Sequence, residues 1–353
     1  WSSDVCSSDL NVDMPYKATF DADGKVEGLA DTGTTIQTLD SKFTAERVSG
    51  SGSPLRNDFT LIKTDSDFNN IATNPAGHYM IVADNLTLNA PINGGTAFTF
   101  TGAINGLGNT VNLQNSFFAP GSTIKKGTLS NINFSLPDEE LSLTGALIAD
   151  NVTSTSGISN ISVGGGTLSF SGVANTGLFG YVNDSSRIEN ISNAANITVD
   201  SSAKYVGGIA GYTKIGTLKQ LRNSGNITAN AEGNAVTAVG GILGYTETDL
   251  SSAIGLYNTG NIDVTSTADL NVGGIIGKTT RPGTINNSYN EGNITATSTA
   301  NLYVGGFLGQ DTYSPFYSTT TSVTMTDFYN KGIITATAGK TGNVGGVEPV
   351  EVI

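Results

Sequence analysis

The sequence predicts an all-β chain wound as a right-handed parallel β-helix, with a short capping helix and a small β segment at its N-terminal end. Three observations point there. First, one phrase recurs: Val206-Gly-Gly-Ile-Ala-Gly, Val239-Gly-Gly-Ile-Leu-Gly, Val272-Gly-Gly-Ile-Ile-Gly, Val304-Gly-Gly-Phe-Leu-Gly and Val344-Gly-Gly, at steps of 33, 33, 32 and 40 residues. A period of this size marks stacked units, none of which buries a core alone. Second, each unit carries a turn that feeds a strand: Asn193-Ala-Ala-Asn-Ile-Thr, Asn223-Ser-Gly-Asn-Ile-Thr, Asn258-Thr-Gly-Asn-Ile-Asp, Asn290-Glu-Gly-Asn-Ile-Thr and Asn330-Lys-Gly-Ile-Ile-Thr. Third, no helical periodicity follows residue 75, which sets aside a leucine-rich solenoid with helices on its convex face.

The elements follow in chain order. Residues 1–10, Trp-Ser-Ser-Asp-Val-Cys-Ser-Ser-Asp-Leu, resemble the translation of a short-read sequencing adapter. On that resemblance the only Trp and the only Cys are foreign to the fold, and any signal peptide is lost from this sequence. Residues 11–63 form a non-repeating N-terminal segment. In it Ala18-Thr-Phe20 and Lys25-Val26 flank Asp23-Gly24, a hairpin turn signal. A calcium loop through Asp21, Asp23, Glu27 and Asp31 lacks a ligand where Gly24 and Lys25 stand, so the hairpin is preferred. Ser49-Gly-Ser-Gly-Ser-Pro54 is a flexible joint.

Residues 64–353 make up the repeat domain. Thr64 to Thr73 is predicted as one short helix, capped by Thr64 and presenting Phe68, Ile71 and Ala72 on one face. It suits a lid on the first coil, because the open end of a solenoid is an exposed sheet edge. From Tyr79 the chain turns to short strands. Regular coils start near Leu143, with Gly145-Ala-Leu-Ile and Gly177-Leu-Phe-Gly180 as degenerate copies of the glycine phrase. Each coil of about 32 residues is expected to hold three strands. Ile197/Val199, Ile227/Ala229, Ile262/Val264, Ile294/Ala296 and Ile334/Ala336 would point inward, and Thr198, Thr228, Asp263, Thr295 and Thr335 outward. The Asn at the turn would stack into a ladder. The pairs Gly207/Gly208, Gly240/Gly241, Gly273/Gly274 and Gly305/Gly306 would fill corners where a Cβ clashes.

The composition narrows the function. Charged residues are 13% of the chain and the net charge is −13. The isoelectric point is near 4.4 and mean hydropathy −0.05. An acidic chain with no Lys/Arg cluster argues against nucleic acid as partner. No apolar run reaches the about 18 residues needed to span a bilayer, so no membrane insertion is expected. Without Cys6 no disulfide or thiolate site is possible, which fits a secreted bacterial protein.

The glycine phrase with its trailing Asn-x-Gly-Asn-Ile strand resembles the GLUG-motif repeats of bacterial cell-surface proteins, a repeat also found beside the protease domain of IgA-specific metallopeptidases. The resemblance covers about residues 64–347, with copies at 177–180, 206–211, 239–244, 272–277 and 304–309. It implies a secreted or surface-displayed stalk or adhesin and supplies no catalytic residue. The C-terminus reads as truncated, since Val344-Gly-Gly opens a coil that Val347 to Ile353 leaves unfinished.

Catalytic motifs fare poorly. A zinc peptidase needs two His and a Glu on one helix, whereas His78 is the single histidine and sits in Gly77-His-Tyr79. Glycoside hydrolysis needs paired carboxylates, but Glu189 aligns with Lys219 and Asn286, Glu291 with Thr259 and Lys331, and Asp263 with Thr228 and Thr295. No cofactor or metal site is expected. Two tyrosine rows, Tyr212 with Tyr245 and Tyr257 with Tyr289 and Tyr329, would stack sugar rings if exposed, or pack as aromatic ladders if not. The sequons at Asn151, Asn190, Asn196, Asn226 and Asn293 mostly fall out of the repeated strand and are discounted. The expected role is a binding or spacing module whose partner is a host or neighbour-cell surface glycan or protein. Two alternatives stay open: the accessory repeats of a larger surface metallopeptidase, and a β-helix polysaccharide lyase or glycoside hydrolase.

Overall fold

Short β-branched runs separated by Gly and Asn fold into strands of two to eight residues, nearly all paired in parallel with the same element of the next unit. The computed structural model describes side chains over 59–345, apart from 184, 201, 215–216, 231–235, 248–252, 281–284 and 313–326. Outside those bounds it describes strand backbone only.

From Arg56 onward the chain winds as a parallel β-helix whose described strands fall into four sheets. One coil shows the pattern. Arg187–Asn193 lies in sheet I, Asn196–Val199 in sheet II, Tyr205–Gly207 in sheet III and Ala210–Lys214 in sheet IV. The next coil repeats this with Thr217–Asn223, Ile227–Ala231, Ala238–Gly240 and Leu243–Thr246. Sequence periodicity predicts three strands per coil. The fourth arises because the glycine phrase is not one strand: it bends at Gly208-Ile209 and divides between sheets III and IV.

Register holds across coils of unequal length. Ile188, Leu218, Ala253 and Ile285 pair in succession, as do Asn193, Asn223, Asn258, Asn290 and Asn330. The predicted inward residues of sheet II are all buried, from Ile197 to Ala336, while Thr228, Asp263 and Thr295 are exposed. An interior of stacked Ile, Leu and Val runs the length of the rod, and each buried aliphatic side chain contributes about 2 kcal/mol.

The predicted helix forms as a 3₁₀ turn, Asp65–Phe68, running into Asn69–Thr73. The Asp67 carboxylate accepts hydrogen bonds from the Lys63 and Thr64 backbone amides, each at 2.9 Å, and closes its start. Phe68 and Ile71 are fully buried, and Phe68 meets Phe117 edge-on at 6.3 Å. The helix therefore plugs the first coils with its apolar face. Tyr79 ties down its far end: its hydroxyl lies 2.8 and 2.7 Å from the Asn70 and Asn74 carbonyls. Upstream, Ala18–Phe20 and Val26–Leu29 pair antiparallel, as the hairpin reading expects. The turn itself, and Asp21, Asp23 and Asp31 of the calcium alternative, lie outside the described residues, as do residues 1–10. Arg56–Ile62 pairs in parallel with His78–Ile81, so sheet I continues across position 63. Among the described residues no helix is long and apolar enough to cross a membrane.

Candidate binding face

Two inward positions of a flat strand are separated by an even number of residues. In sheet I the inward residues Ile188 and Ile191 are three apart, as are Leu218 and Leu221 and Ala253 and Leu256. The extra residue is absorbed at positive φ: Asn131 55°, Asn160 54°, Asn190 53°, Gln220 52°, Gly255 72°, Asn287 49° and Asp327 51°. Asn and Asp tolerate this region better than most side chains. The column turns amides outward and links them: Asn160 Nδ2 donates to Asn131 Oδ1, and Asn190 Nδ2 to Asn160 Oδ1, both at 2.8 Å. At Gly255 the column has no side chain. A groove of 480 Å³ opens there, running over Ser159, Asn190, Lys219, Gln220 and Asn287, with Tyr257 as one wall.

Beside the groove stands the predicted tyrosine row. Tyr257 and Tyr289 have ring centroids 4.7 Å apart, and Tyr289 and Tyr329 5.0 Å apart at an interplanar angle of 2°. Sequence reasoning missed what closes the row: Arg222 lies 4.8 Å over Tyr257 and Lys331 4.9 Å over Tyr329. The ring faces meet one another and these cations, and the Tyr329 hydroxyl donates to the Glu291 carboxylate at 3.3 Å. Tyr257 and Tyr289 are half-buried and Tyr329 exposed.

The other predicted pair lies on sheet IV. Tyr212 and Tyr245 stack at 5.2 Å, joined by Tyr181 and Tyr205, which the repeat phrase does not mark. Tyr245 is buried. Burial pushes the Tyr212 phenol well above its ordinary range, helped by Glu247 beside it. These four rings pack on each other.

The glycine pairs sit at the corner between sheets III and IV. A Cβ on Gly207, Gly240, Gly273 or Gly305 would come within 1.9–2.1 Å of the carbonyl three residues on. A Cβ on Gly208, Gly241, Gly274 or Gly306 would lie 2.4–2.5 Å from the Cγ of Asn223, Asn258, Asn290 or Asn330. The glycine phrase and the Asn phrase, remote in sequence, thus meet inside the rod. There the Asn form the predicted ladder: Asn193 donates to Asn223, Asn223 to Asn258, Asn258 to Asn290 and Asn290 to Asn330, over 2.7–2.9 Å. Each also donates to the carbonyl two residues on, such as Gly260 at 2.8 Å from Asn258. A second ladder is exposed. The Oδ1 atoms of Asn196, Asn226, Asn261 and Asn293 accept from the backbone amide of the next coil at 2.9 Å. Three sequon asparagines, Asn196, Asn226 and Asn293, are therefore held in structural bonds.

The carboxylates of these faces lie beside lysines. Glu189 is 3.7 Å from Lys219 and Glu291 is 3.0 Å from Lys331. Asp263 aligns with Thr228 and Thr295. His78 lies against Phe59, ring centroids 5.8 Å apart. Among the described residues no three His, Cys, Asp or Glu come together to hold a metal ion.

No protein-family model matches this chain, and no curated protein matches it. Among solved structures it is similar to one titled IgA1 Protease, with a TM-score of 0.50 and 15% sequence identity. The match covers 90% of this chain and 24% of that one, so this chain spans under a quarter of the neighbour's length. At this identity the likeness is one of fold: the two share the architecture of a parallel β-helix.

Proposed function

We propose that this chain is an extracellular module of a bacterial surface protein that binds or spaces rather than catalyses. The observation that supports this best is the use of its polar groups in axial repeats. The Asn ladders, the tyrosine rows and the Glu–Lys pairs join each coil to the next. A catalytic centre needs groups that break such repetition and converge on one reacting atom. Here Glu189 and Glu291, the acids nearest the outer groove and the tyrosine row, each have a lysine one coil away.

The test is to expose the full chain to a panel of polysaccharides, mucins and host surface proteins. Capture and product formation are followed in the same samples. Saturable capture without cleavage is the expected result. Release of shortened glycan or peptide would sink this reading in favour of an enzyme. A second reading, the accessory repeats of a larger surface peptidase, draws on the likeness to the structure titled IgA1 Protease. Long-read sequencing of the gene beyond both ends decides it: a flanking His-Glu-x-x-His helix would support that reading, and an anchor without one would oppose it.

A further inference from the structure

We infer that the outer groove of sheet I takes a linear anionic polysaccharide, lying along the rod axis with its acidic groups at Arg222 and Lys219. This rests on the binding reading above and names the ligand class.

The groove crosses five coils, from Ser159 to Asn287. At a strand spacing of about 4.8 Å that is about 19 Å, room for several linked sugars. Its lining holds the Ser159 hydroxyl and a row of amides, groups that exchange hydrogen bonds with sugar hydroxyls, together with Glu189, Lys219 and Tyr257; the Glu189 carboxylate is neutralised by Arg187 and Lys219. The Gln220 and Asn287 amides are exposed. An extended peptide is disfavoured, because the backbone amides and carbonyls of sheet I are consumed by pairing between coils and none is left to add a strand.

Charge selects the class. The chain carries −13 overall, yet this face holds three cations to one acid: Arg187 and Lys219 lie beside Glu189, and Arg222 stands three residues further along the strand of Lys219. Among the described residues the Arg222 guanidinium has no carboxylate partner; it rests over the ring of Tyr257, a wall of the groove, and so stands at the groove's rim. A fixed guanidinium is suited to carboxylate or sulfate.

Gly255 makes the opening. Every described neighbour in its column bears a side chain, whereas here the added Cβ would stand 3.0 Å from Tyr257 Oη. The missing side chain leaves the tyrosine edge and hydroxyl facing the groove.

The experiment measures binding of the full chain to immobilised hyaluronan, heparin and dextran. These present carboxylate, sulfate with carboxylate, and no charge. Hyaluronan or heparin is expected to bind, dextran not, with affinity falling as salt rises. R222Q combined with K219Q should weaken binding by roughly tenfold or more, and R222K alone, which keeps the charge but loses the planar fork, should fall between the wild type and that double variant. Gly255→Asn, which suits a positive φ, fills the gap and displaces the Tyr257 hydroxyl that its Cβ would meet at 3.0 Å, and should abolish binding, with an unchanged β circular dichroism spectrum to verify the fold. Anionic binding indifferent to the R222Q/K219Q double variant and to Gly255→Asn overturns the site. Dextran bound as well as hyaluronan overturns the charge selection while leaving the binding role intact. Capture of host proteins with no polysaccharide bound also overturns the inference and leaves that role intact. Cleavage of any polymer overturns the binding role itself.

Discussion

Asn258 shows how much one side chain does in a stacked fold. It accepts from Asn223 and donates to Asn290 and to the Gly260 carbonyl, and it is fully buried. Asn258→Ala strands a donor on one side and acceptors on the other, and should cost on the order of 3 kcal/mol in denaturant unfolding. Gly241→Ala strikes the same place from the opposite wall, with its Cβ 2.2 Å from the Gly274 carbonyl and 2.4 Å from Asn258 Cγ. Backbone cannot yield there, so a loss of about 3 kcal/mol or more is expected. Tyr245, which is buried, and Tyr212, which is half-buried, set an alkaline limit. Burial raises Tyr212 and Tyr245 above the ordinary value of 10.0. The unfolded chain therefore ionises first as pH rises. Their contribution is full below about pH 10 and is lost above it. Melting temperature should fall progressively as pH rises above about 10, and less so in Tyr212→Phe. At the exposed end of the other row, the hydrogen bond from Lys331 holds the Glu291 carboxyl below its usual range. Its NMR titration midpoint should return toward the ordinary value in Lys331→Met.

The strand-and-bulge element of sheet I depends on a backbone that leaves the β region for one residue. Asn190→Val forces a β-branched side chain to φ 53° and should cost about 1–2 kcal/mol, whereas Asn190→Gly should be close to neutral. This element also shows where sequence reading succeeds and where it stops. The inward Ile and Val of sheet II alternate strictly, so their burial is legible. The turn Asn is legible as a ladder because it recurs in five successive coils, from Asn193 to Asn330. The bulge is not, although its signal is present: Ile188 and Ile191 are three apart, a spacing no flat strand can bury on one side. The fourth sheet is missed because the Val-Gly-Gly-Ile phrase looks like one strand until the corner clashes are seen. The tyrosine rows are legible by register. Arg222 is not, because it occupies a tyrosine's place one coil earlier, where residue type changes but position does not.

At the scale of the whole molecule, each coil touches mainly its two neighbours. Removing residues 239–271, one whole unit, rejoins Ala238 to Val272 and leaves Asn223 facing Asn290. The shortened chain should fold with unchanged β circular dichroism and a length reduced by about 4.8 Å, with small-angle scattering as the check. Aggregation of that deletion would mean that coils are not interchangeable. The inner ladder has one more consequence. Its rungs are 30, 35, 32 and 40 residues apart along the chain, although they are evenly stacked in space. Under tension from its two ends, such a rod peels turn by turn, and each rupture frees a tether set by the loops rather than by the stack. At about 3.3–3.6 Å per residue those tethers run from about 100 to about 140 Å. A single-molecule force trace would then carry a signature of unequal steps, from which the order in which the turns let go can be read.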